Sequence, residues 1–167
     1  MEVSEIYERL NQRFPERILE IGGKPDAFAV VDAPAIVEVC QFLRNDPETA
    51  FNCLSNETGV DYKDRVEVVY HLFSYKYRHG CVLKVKLPRD NPVVATVETI
   101  WNAANWMERE IFDLLGVTFQ GHSDMRRILM PEDWPGHPLR KDFVEPQEYH
   151  GISTVRESPI IRLDQKH

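Results

Sequence analysis

The chain has 167 residues, of which 43% are hydrophobic and 28% charged, an ordinary balance for one folded domain. Its formal net charge of −7 argues against a nucleic-acid-binding protein, because neutralising phosphates requires a basic surface. The chain contains no run of about 18 apolar residues and begins with a charged segment, so we expect neither a membrane span nor a signal peptide.

The N-terminal section predicts two helices separated by a β-hairpin. Apolar residues at helical spacing predict an amphipathic helix over residues 2–14. Two short strands should follow, over residues 17–21 and 28–31, around a turn at Gly22-Gly23. Asp32 is expected to cap a second helix that ends near residues 45–47.

The middle section predicts antiparallel strands. Residues 51–54, 66–75 and 81–87 are rich in β-branched and aromatic side chains. The connections between these segments are short and polar, which favours hairpins over helical crossovers. We therefore predict an α+β core domain over residues 1–120, with helices packed on a mainly antiparallel sheet.

A third helix is predicted over residues 97–115, after a turn-rich break. One apolar stripe would dock this helix on the sheet. Two further faces carry aromatic and charged side chains, namely Trp101, Asn105 and Phe112 on one, and Trp106, Arg109 and Asp113 on the other. Either the chain's own loops cover these aromatic residues or a partner protein does, because interface centres favour aromatic residues and arginine. Arg109 and Asp113 have the spacing of a helical ion pair.

Residues 121–167 should not form a second core. Five of the eleven prolines lie in this section, and its large apolar residues follow neither a helical nor a strand period. Prolines combined with large apolar side chains predict an extended C-terminal arm that lies on a larger surface, since proline lowers the entropy lost on docking.

No cofactor or metal site is recognisable in the sequence. The three cysteines are far apart and form no C-x-x-C pair, so we interpret them as small buried side chains. The only Gly-Gly pair belongs to the predicted hairpin and not to a nucleotide-binding loop. An active site of a stand-alone hydrolase around Glu108, His122 and His137 is the alternative, and it predicts a folded monomer with a polar cleft.

One block of residues carries a specific resemblance to a known family. It consists of E-R-E-I-F-D-L-L-G at 108–116, of His122, Arg126, Ile128 and Leu129 at fixed offsets, and of P-E-D-W-P-G-H-P-L-R-K-D-F at 131–143. The block resembles the C-subunit of the proton-translocating NADH:quinone oxidoreductase, respiratory complex I. The resemblance extends back through L-P-R-D-N-P and I-W-N-A-A-N-W and covers essentially the whole chain.

This resemblance implies a non-catalytic subunit of the peripheral arm that packs against the D-subunit, the hydrogenase-like protein forming much of the quinone pocket. It implies no cofactor in this chain, because FMN, the iron–sulfur clusters and quinone belong to other subunits. The chain would lie on the cytoplasmic side of a bacterial membrane and touch that membrane only through the complex. The interface or structural residues that we predict, none of them catalytic, are Trp101, Trp106, Glu108, Arg109, Glu110, Phe112, Asp113, His122, Arg126, Arg127, Trp134 and Arg140.

Several alternatives stay open on the sequence alone. The same subunit type also suits a related quinone- or ferredoxin-linked complex without the NADH module, and the sequence leaves open the electron donor, the quinone and a fusion to the D-subunit. Acidic residues near a helix C-terminus need partners, so we expect loop 121–129 to fold back, with Glu110 and Arg126 as the predicted pair. The other possibility is that both arginines of this loop and His122 are exposed to solvent.

Overall fold

The computed structural model describes residues 3–23 and 26–155. Within these ranges the helices are α1 (Val3–Arg13), α2 (Ile36–Asn45) and α3 (Ala104–Leu115). The strands are β1 (Ile18–Gly22), β2 (Phe28–Val31), β3 (Cys53–Asp61), β4 (Arg65–Ser74), β5 (His79–Pro88), β6 (Val93–Ala95), β7 (Thr118–Gln120), β8 (Glu148–Tyr149) and β9 (Ile152–Ser153).

A five-stranded sheet with the order β1-β2-β5-β4-β3 forms the centre of the fold. The β1–β2, β3–β4 and β4–β5 pairs are antiparallel, and only β2 and β5 run parallel among these five strands. The predicted combination of helices with a mainly antiparallel sheet is therefore confirmed. The short strands form two separate pairs, β6 with β7 and β8 with β9.

One face of this sheet carries the core. In β5 the residues His79, Cys81, Leu83, Val85 and Leu87 are buried, while the residues between them are half-buried or exposed, as period-two alternation requires. The helix α1 buries Ile6, Tyr7 and Leu10 on this face. The hydroxyl of Tyr7 donates to the carbonyl of Ala27 at 2.9 Å and accepts the N–H of Val82 at 3.0 Å, which ties α1 to the sheet.

The predicted cap at Asp32 is wrong. Its carboxylate makes no capping hydrogen bond and instead accepts Arg17 Nη1 at 2.8 Å. A single 3-10 turn at Ala33–Ala35 precedes α2, which begins at Ile36. The ion pair with the preceding segment thus competes with helix capping for the same side chain.

Strand β3 is longer than predicted, because residues 55–61 were expected to belong to a loop but continue the ladder with β4. Their polar composition resembles a turn, yet Gly59 has a packing role. A Cβ atom on Gly59 would lie 2.3 Å from Leu115 Cδ1 and 3.0 Å from Ile111 Cγ2. The missing side chain therefore lets α3 approach β3 closely.

Helix α3 begins at Ala104 and not at residue 97, so that prediction is corrected as well. Residues before it form turns in which the N–H of Trp101 bonds to the carbonyl of Val97 at 3.0 Å. Trp101 is 4% exposed and its indole N–H donates to the carbonyl of Phe51 at 3.1 Å. This side chain belongs to the core and does not share a helix face with Phe112.

Residues 121–155 contain turns, irregular segments and the β8–β9 pair. Backbone groups of this section bond back to the core, as in the N–H of Leu139 to the carbonyl of Leu114 at 3.0 Å. The prediction of an arm that docks on a partner is not tested by these contacts, and residues 156–167 lie outside the described residues.

Candidate interaction site

Gly116 ends α3 and lets the following segment return to the helix. Its φ of 75° is in the left-handed region, which glycine adopts without strain. A Cβ atom at this position would also lie 2.6 Å from the His137 ring. Position 116 therefore requires glycine for two reasons: the left-handed backbone conformation, and the lack of space for a Cβ atom beside the His137 ring.

Asp113 anchors residues 127–130 to the C-terminal turn of α3. The side chain is fully buried, and its Oδ2 accepts the backbone N–H groups of Ile128, Leu129 and Met130 at 3.1, 2.7 and 2.8 Å. Its Oδ1 accepts Arg127 Nη1 at 2.8 Å. Burial opposes ionisation, but these N–H groups and the guanidinium outweigh it, so the pKa of Asp113 is lowered.

Arg127 extends this anchor along the chain. Its Nη2 donates to the carbonyl of Trp134 at 3.0 Å and to that of Gly136 at 2.9 Å. The main-chain carbonyl of Asp113 accepts His137 Nδ1 at 3.0 Å. The buried Asp113 carboxylate and the half-buried Arg127, whose two Nη groups are bonded in this way, fix the path of residues 127–137 on the helix.

Glu108 performs a similar role toward the segment that precedes α3. Its fully buried carboxylate accepts the N–H of Val97 at 2.7 Å and the hydroxyl of Thr96. Burial raises the pKa of Glu108 to about 7, against the lowering effect of these two hydrogen bonds and with a further contribution from the charge of Glu98. The carboxylate thus holds the turn at Val97 where a longer helix was predicted.

His122 lies at this same end of α3, and its side chain is completely buried. Nε2 lies 3.0 Å from the carbonyl of Asn105, and Nδ1 accepts the N–H of Asp124 at 3.0 Å, a pattern that fits the tautomer with its proton on Nε2. Glu98 accepts the N–H of Ser123 at 2.7 Å. Burial opposes ionisation of Glu98, but hydrogen bonds from Asn105 and Ser123 outweigh it and lower the pKa. Of the two alternatives for His122, the loop contact is the one observed.

Arg109 does not pair with Asp113, although their spacing suggested it. Its Nε and Nη2 donate to the carbonyls of Arg126 and Arg127 at 3.1 and 3.2 Å. The guanidinium also lies 5.3 Å from the centre of the Trp106 ring. Arg109 therefore holds the loop backbone on one side and supports an exposed tryptophan on the other.

The expectation that loop 121–129 folds back onto α3 is confirmed, but the predicted pair is wrong. Arg126 Nε bonds to Asp124 at 2.9 Å and Glu110 is exposed, while Arg127 is the arginine that reaches the helix. An arginine binds Asp113 in preference to the exposed Glu110, because the Asp113 carboxylate is desolvated. Backbone carbonyls near Asp113 also accept the remaining guanidinium N–H groups.

A second anchor, of which the sequence analysis named only Arg140, joins residues 140–142 to the C-terminal ends of β3 and β5. Arg89 pairs with Asp61 and, at 2.8 Å, with Asp142. The other carboxylate oxygen of Asp61 accepts the N–H of Lys141 at 2.7 Å, and Arg140 Nη2 donates to the carbonyl of Arg89 at 2.6 Å. Arg140 was predicted through the family resemblance, but neither its position nor that of Arg89 in the turn-rich break gives information about the distant partners.

Several large apolar side chains are exposed on α3 and on the section that follows it, and three of them lie on α3 or next to the residues that the anchors hold. Trp106 is 64% exposed, and Leu129 and Leu139 are each 61% exposed. Two other predicted residues, Phe112 and Trp134, are half-buried, with ring centres 6.0 Å from His137 and 4.9 Å from Tyr149. We define the interaction surface as Trp106, Leu129 and Leu139.

Only two of the three residues of the hydrolase alternative come together: His122 Nε2 lies 3.9 Å from Glu108 Oε2, while His137 lies elsewhere. His122 contacts Asn105 near the start of α3, whereas His137 contacts Asp113 near its end. Glu108 and the His122 side chain are fully buried, so no substrate reaches them. Within residues 3–23 and 26–155, no group of three or more histidines, cysteines or acidic residues could hold a metal ion. None of the described helices is long and apolar enough to cross a membrane.

Comparison with known proteins gives a consistent result. The family described as "Respiratory-chain NADH dehydrogenase, 30 Kd subunit" matches residues 29–149. The NADH-quinone oxidoreductase C-subunit of Roseiflexus sp. (strain RS-1) is 48% identical over 143 residues, which cover 82% of this chain and 81% of that protein. The C-subunit of Geobacter metallireducens is 39% identical over 140 residues, covering 81% of this chain and 85% of that protein.

Two solved structures are also similar. The trypsin-resistant fragment of Nqo5 has a TM-score of 0.62 at 27% identity, covering 74% of this chain and 99% of the fragment. A chain of the membrane-bound sulfane sulfur reductase, an archaeal respiratory membrane complex, has a TM-score of 0.68 at 29% identity, covering 84% of this chain and 85% of that chain. The protein belongs to the family of the 30 kDa subunit of the respiratory-chain NADH dehydrogenase.

Proposed function

We propose that this chain is a non-catalytic subunit of the peripheral arm of a proton-translocating NADH:quinone oxidoreductase, where it packs against the D-subunit. In this proposal it binds no FMN, iron–sulfur cluster or quinone itself. It lies on the cytoplasmic side of a bacterial membrane, which it meets only through the complex. The family match and the relatives named as the C-subunit of NADH-quinone oxidoreductase support the choice of complex.

The observation that carries the proposal is the interaction surface, whose apolar side chains are exposed although their backbone is fixed. The N–H of Leu129 is bonded to the buried carboxylate of Asp113, and the N–H of Leu139 to the carbonyl of Leu114. Because the backbone is already fixed, a partner that covers these side chains costs side-chain entropy but little backbone entropy, which favours a role as an interface centre.

Charged residues near this surface would provide its polar rim. Glu110 is exposed one helical turn after Trp106, and Arg126 is exposed three residues before Leu129. An apolar centre surrounded by charges is the usual arrangement where two proteins meet. The division of the chain into a core domain over residues 1–120 and a docking arm over residues 121–167 is part of the same proposal.

The test is affinity purification of the tagged chain, expressed in its native host, in mild detergent, with mass spectrometry of the proteins that accompany it. Recovery of a protein resembling the D-subunit, together with iron–sulfur proteins, is the expected result. A stable monomer recovered without companions contradicts the proposal.

A second candidate function is the same structural role in a related membrane complex without the NADH module. The similarity to a chain of the archaeal sulfane sulfur reductase, at a TM-score of 0.68, favours keeping this candidate. The same purification separates the two, because recovery of the NADH-binding subunits supports the first and their absence from an otherwise intact complex supports the second.

A further inference from the structure

The core of the fold contains buried polar side chains that have no role in the proposed function. Glu57 of β3 is 4% exposed and Tyr70 of β4 is fully buried. Both carboxylate oxygens of Glu57 and the hydroxyl of Tyr70 lack a hydrogen-bond partner among the described residues. Unpartnered buried polar atoms are costly, so three of them in one region require an explanation.

The sheet register brings these two side chains together. Glu57 and Tyr70 are direct cross-strand partners in the antiparallel β3–β4 ladder, so they project from the same face of the sheet as neighbours. That face is the one covered by helices, because Val66, Val68 and Leu72, which alternate with the residues of the open face, are part of the core.

Helix α3 adds a second carboxyl group. Gly59 lies against Ile111 and Leu115. Glu57 is two residues earlier on the same strand face, which places it beside the preceding turn of α3, where Glu108 is located. Glu57 and Glu108 are therefore neighbours where α3 packs on β3, and the charge of Glu108 acts on Glu57.

We propose that Glu57, Tyr70 and Glu108 form a buried proton-binding site whose proton keeps α3 packed on β3. With the proton on Glu57, its neutral carboxyl group can, after rotation of the side chain, donate to the Tyr70 hydroxyl or to the Glu108 carboxylate. Loss of the proton leaves two carboxylates facing each other across a desolvated contact, where their repulsion is strong.

The electrostatic surroundings agree with this assignment. Burial, and next the charge of Glu108, raises the pKa of Glu57 well above its ordinary range. Burial also raises the pKa of Tyr70, with Glu57 as the next contribution. The charge of Glu108 is thus the neighbouring charge that acts on Glu57.

Among the described residues, no lysine or arginine contributes to the shifted pKa of Glu57. The groups around the site are Cys40 of α2 and Cys81 of β5, both buried with raised pKa values because of burial, and, around Glu108, Thr96, Glu98 and His122.

The test is a pH titration of the full chain by NMR, following the side-chain carboxyl carbons of labelled glutamates. We expect two coupled steps, one near neutral pH at Glu108 and a higher one at Glu57, both well above the pH at which the exposed glutamates ionise. Glu57 that ionises with the exposed glutamates overturns the proposal, and this result needs no variant.

Matched variants sharpen the result. Glu57→Gln should abolish the higher step and keep the lower one, whereas Glu110→Gln, at an exposed position of the same helix, should keep both. Tyr70→Phe should shift the higher step without removing it. Persistence of both steps in Glu57→Gln, or an unshifted higher step in Tyr70→Phe, contradicts the site as assigned.

Discussion

The two ends of α3 each bury an acidic side chain, but with opposite consequences. Toward the start of the helix, Glu108 accepts hydrogen bonds from two neutral groups and lies near the carboxyl group of Glu98, and its pKa rises to about 7. At the other end Asp113 receives three backbone N–H groups and a guanidinium, and its pKa falls. The comparison shows that the number and charge of the donors decide whether a buried carboxyl group is ionised, even on the same helix.

The largest effect is expected from breaking the Asp113 end. The Asp113→Asn substitution removes the charge that neutralises Arg127 and weakens three backbone hydrogen bonds, so the free energy of unfolding should fall by about 3–5 kcal/mol. Urea denaturation measures this change. The control Asp124→Asn affects a carboxylate that is 44% exposed and paired with Arg126, and it should cost less than about 1 kcal/mol. Equal effects of the two substitutions contradict the role of Asp113.

A smaller loss is expected from the turn that follows this end. Gly116→Ala should destabilise the chain by about 3 kcal/mol, because the left-handed strain adds to a clash with the His137 ring. Gly121→Ala is the matched control, with a φ of 84° but its nearest neighbour, Thr96 Cγ2, at 3.5 Å. Thermal unfolding should give about 1 kcal/mol for the control. Identical losses at both positions mean that the contact with His137 has no energetic weight.

Glu108 and Asp113 should also change the free energy of unfolding with pH in opposite directions. Because the pKa of Glu108 is raised in the folded chain, the fold binds more protons than the unfolded chain between about pH 4.3 and 7, and stability decreases as pH rises through that window. For Asp113 the sign is opposite, since its stabilisation is present above about pH 3.9 and is lost as pH falls through its lowered pKa.

Urea denaturation at pH 5 and pH 8 should therefore show a loss of stability at the higher pH, to which Glu108 contributes on the order of 2 kcal/mol. Glu108→Gln should remove this part and leave the part that comes from Glu57. An unchanged pH profile in Glu108→Gln means that another group, and not Glu108, causes the loss.

The smallest effect is expected at the interaction surface of the isolated chain. Leu129→Ala should change the free energy of unfolding by no more than about 0.5 kcal/mol, because the side chain is mostly exposed. Differential scanning calorimetry provides the value. A loss of several kcal/mol would show that Leu129 stabilises its own fold and is not held ready for a partner.

The local patterns of the sequence predicted the elements that depend on local periodicity. The apolar spacing of α1 and the alternation in β5 are properties of neighbouring residues, and both elements lie where they were expected. Strand β3 was shortened in the prediction because its polar residues and Gly59 have the composition of a turn, while what holds them in the sheet is pairing with β4 and packing under α3.

The anchors of the interaction site depend on contacts between residues distant in the chain. Spacing on a helix favoured pairs such as Arg109 with Asp113, but the partners of Asp113 come from residues 127–130, after a glycine turn. The late start of α3, compared with the predicted helix, has the same origin, because Glu108 takes the N–H of Val97. Such choices between competing partners are decided by burial, which a single sequence does not reveal.

The most direct test of the central claim compares Leu129→Glu with Leu19→Glu in affinity purification of the complex. Both side chains are 61% exposed, but Leu19 lies on β1, at the sheet edge opposite to β3 and α3. We predict that Leu129→Glu reduces recovery of the partner resembling the D-subunit at least about tenfold, as the loss of a central interface contact does, while Leu19→Glu leaves recovery unchanged. Full recovery of the partner with a folded Leu129→Glu chain would contradict the account.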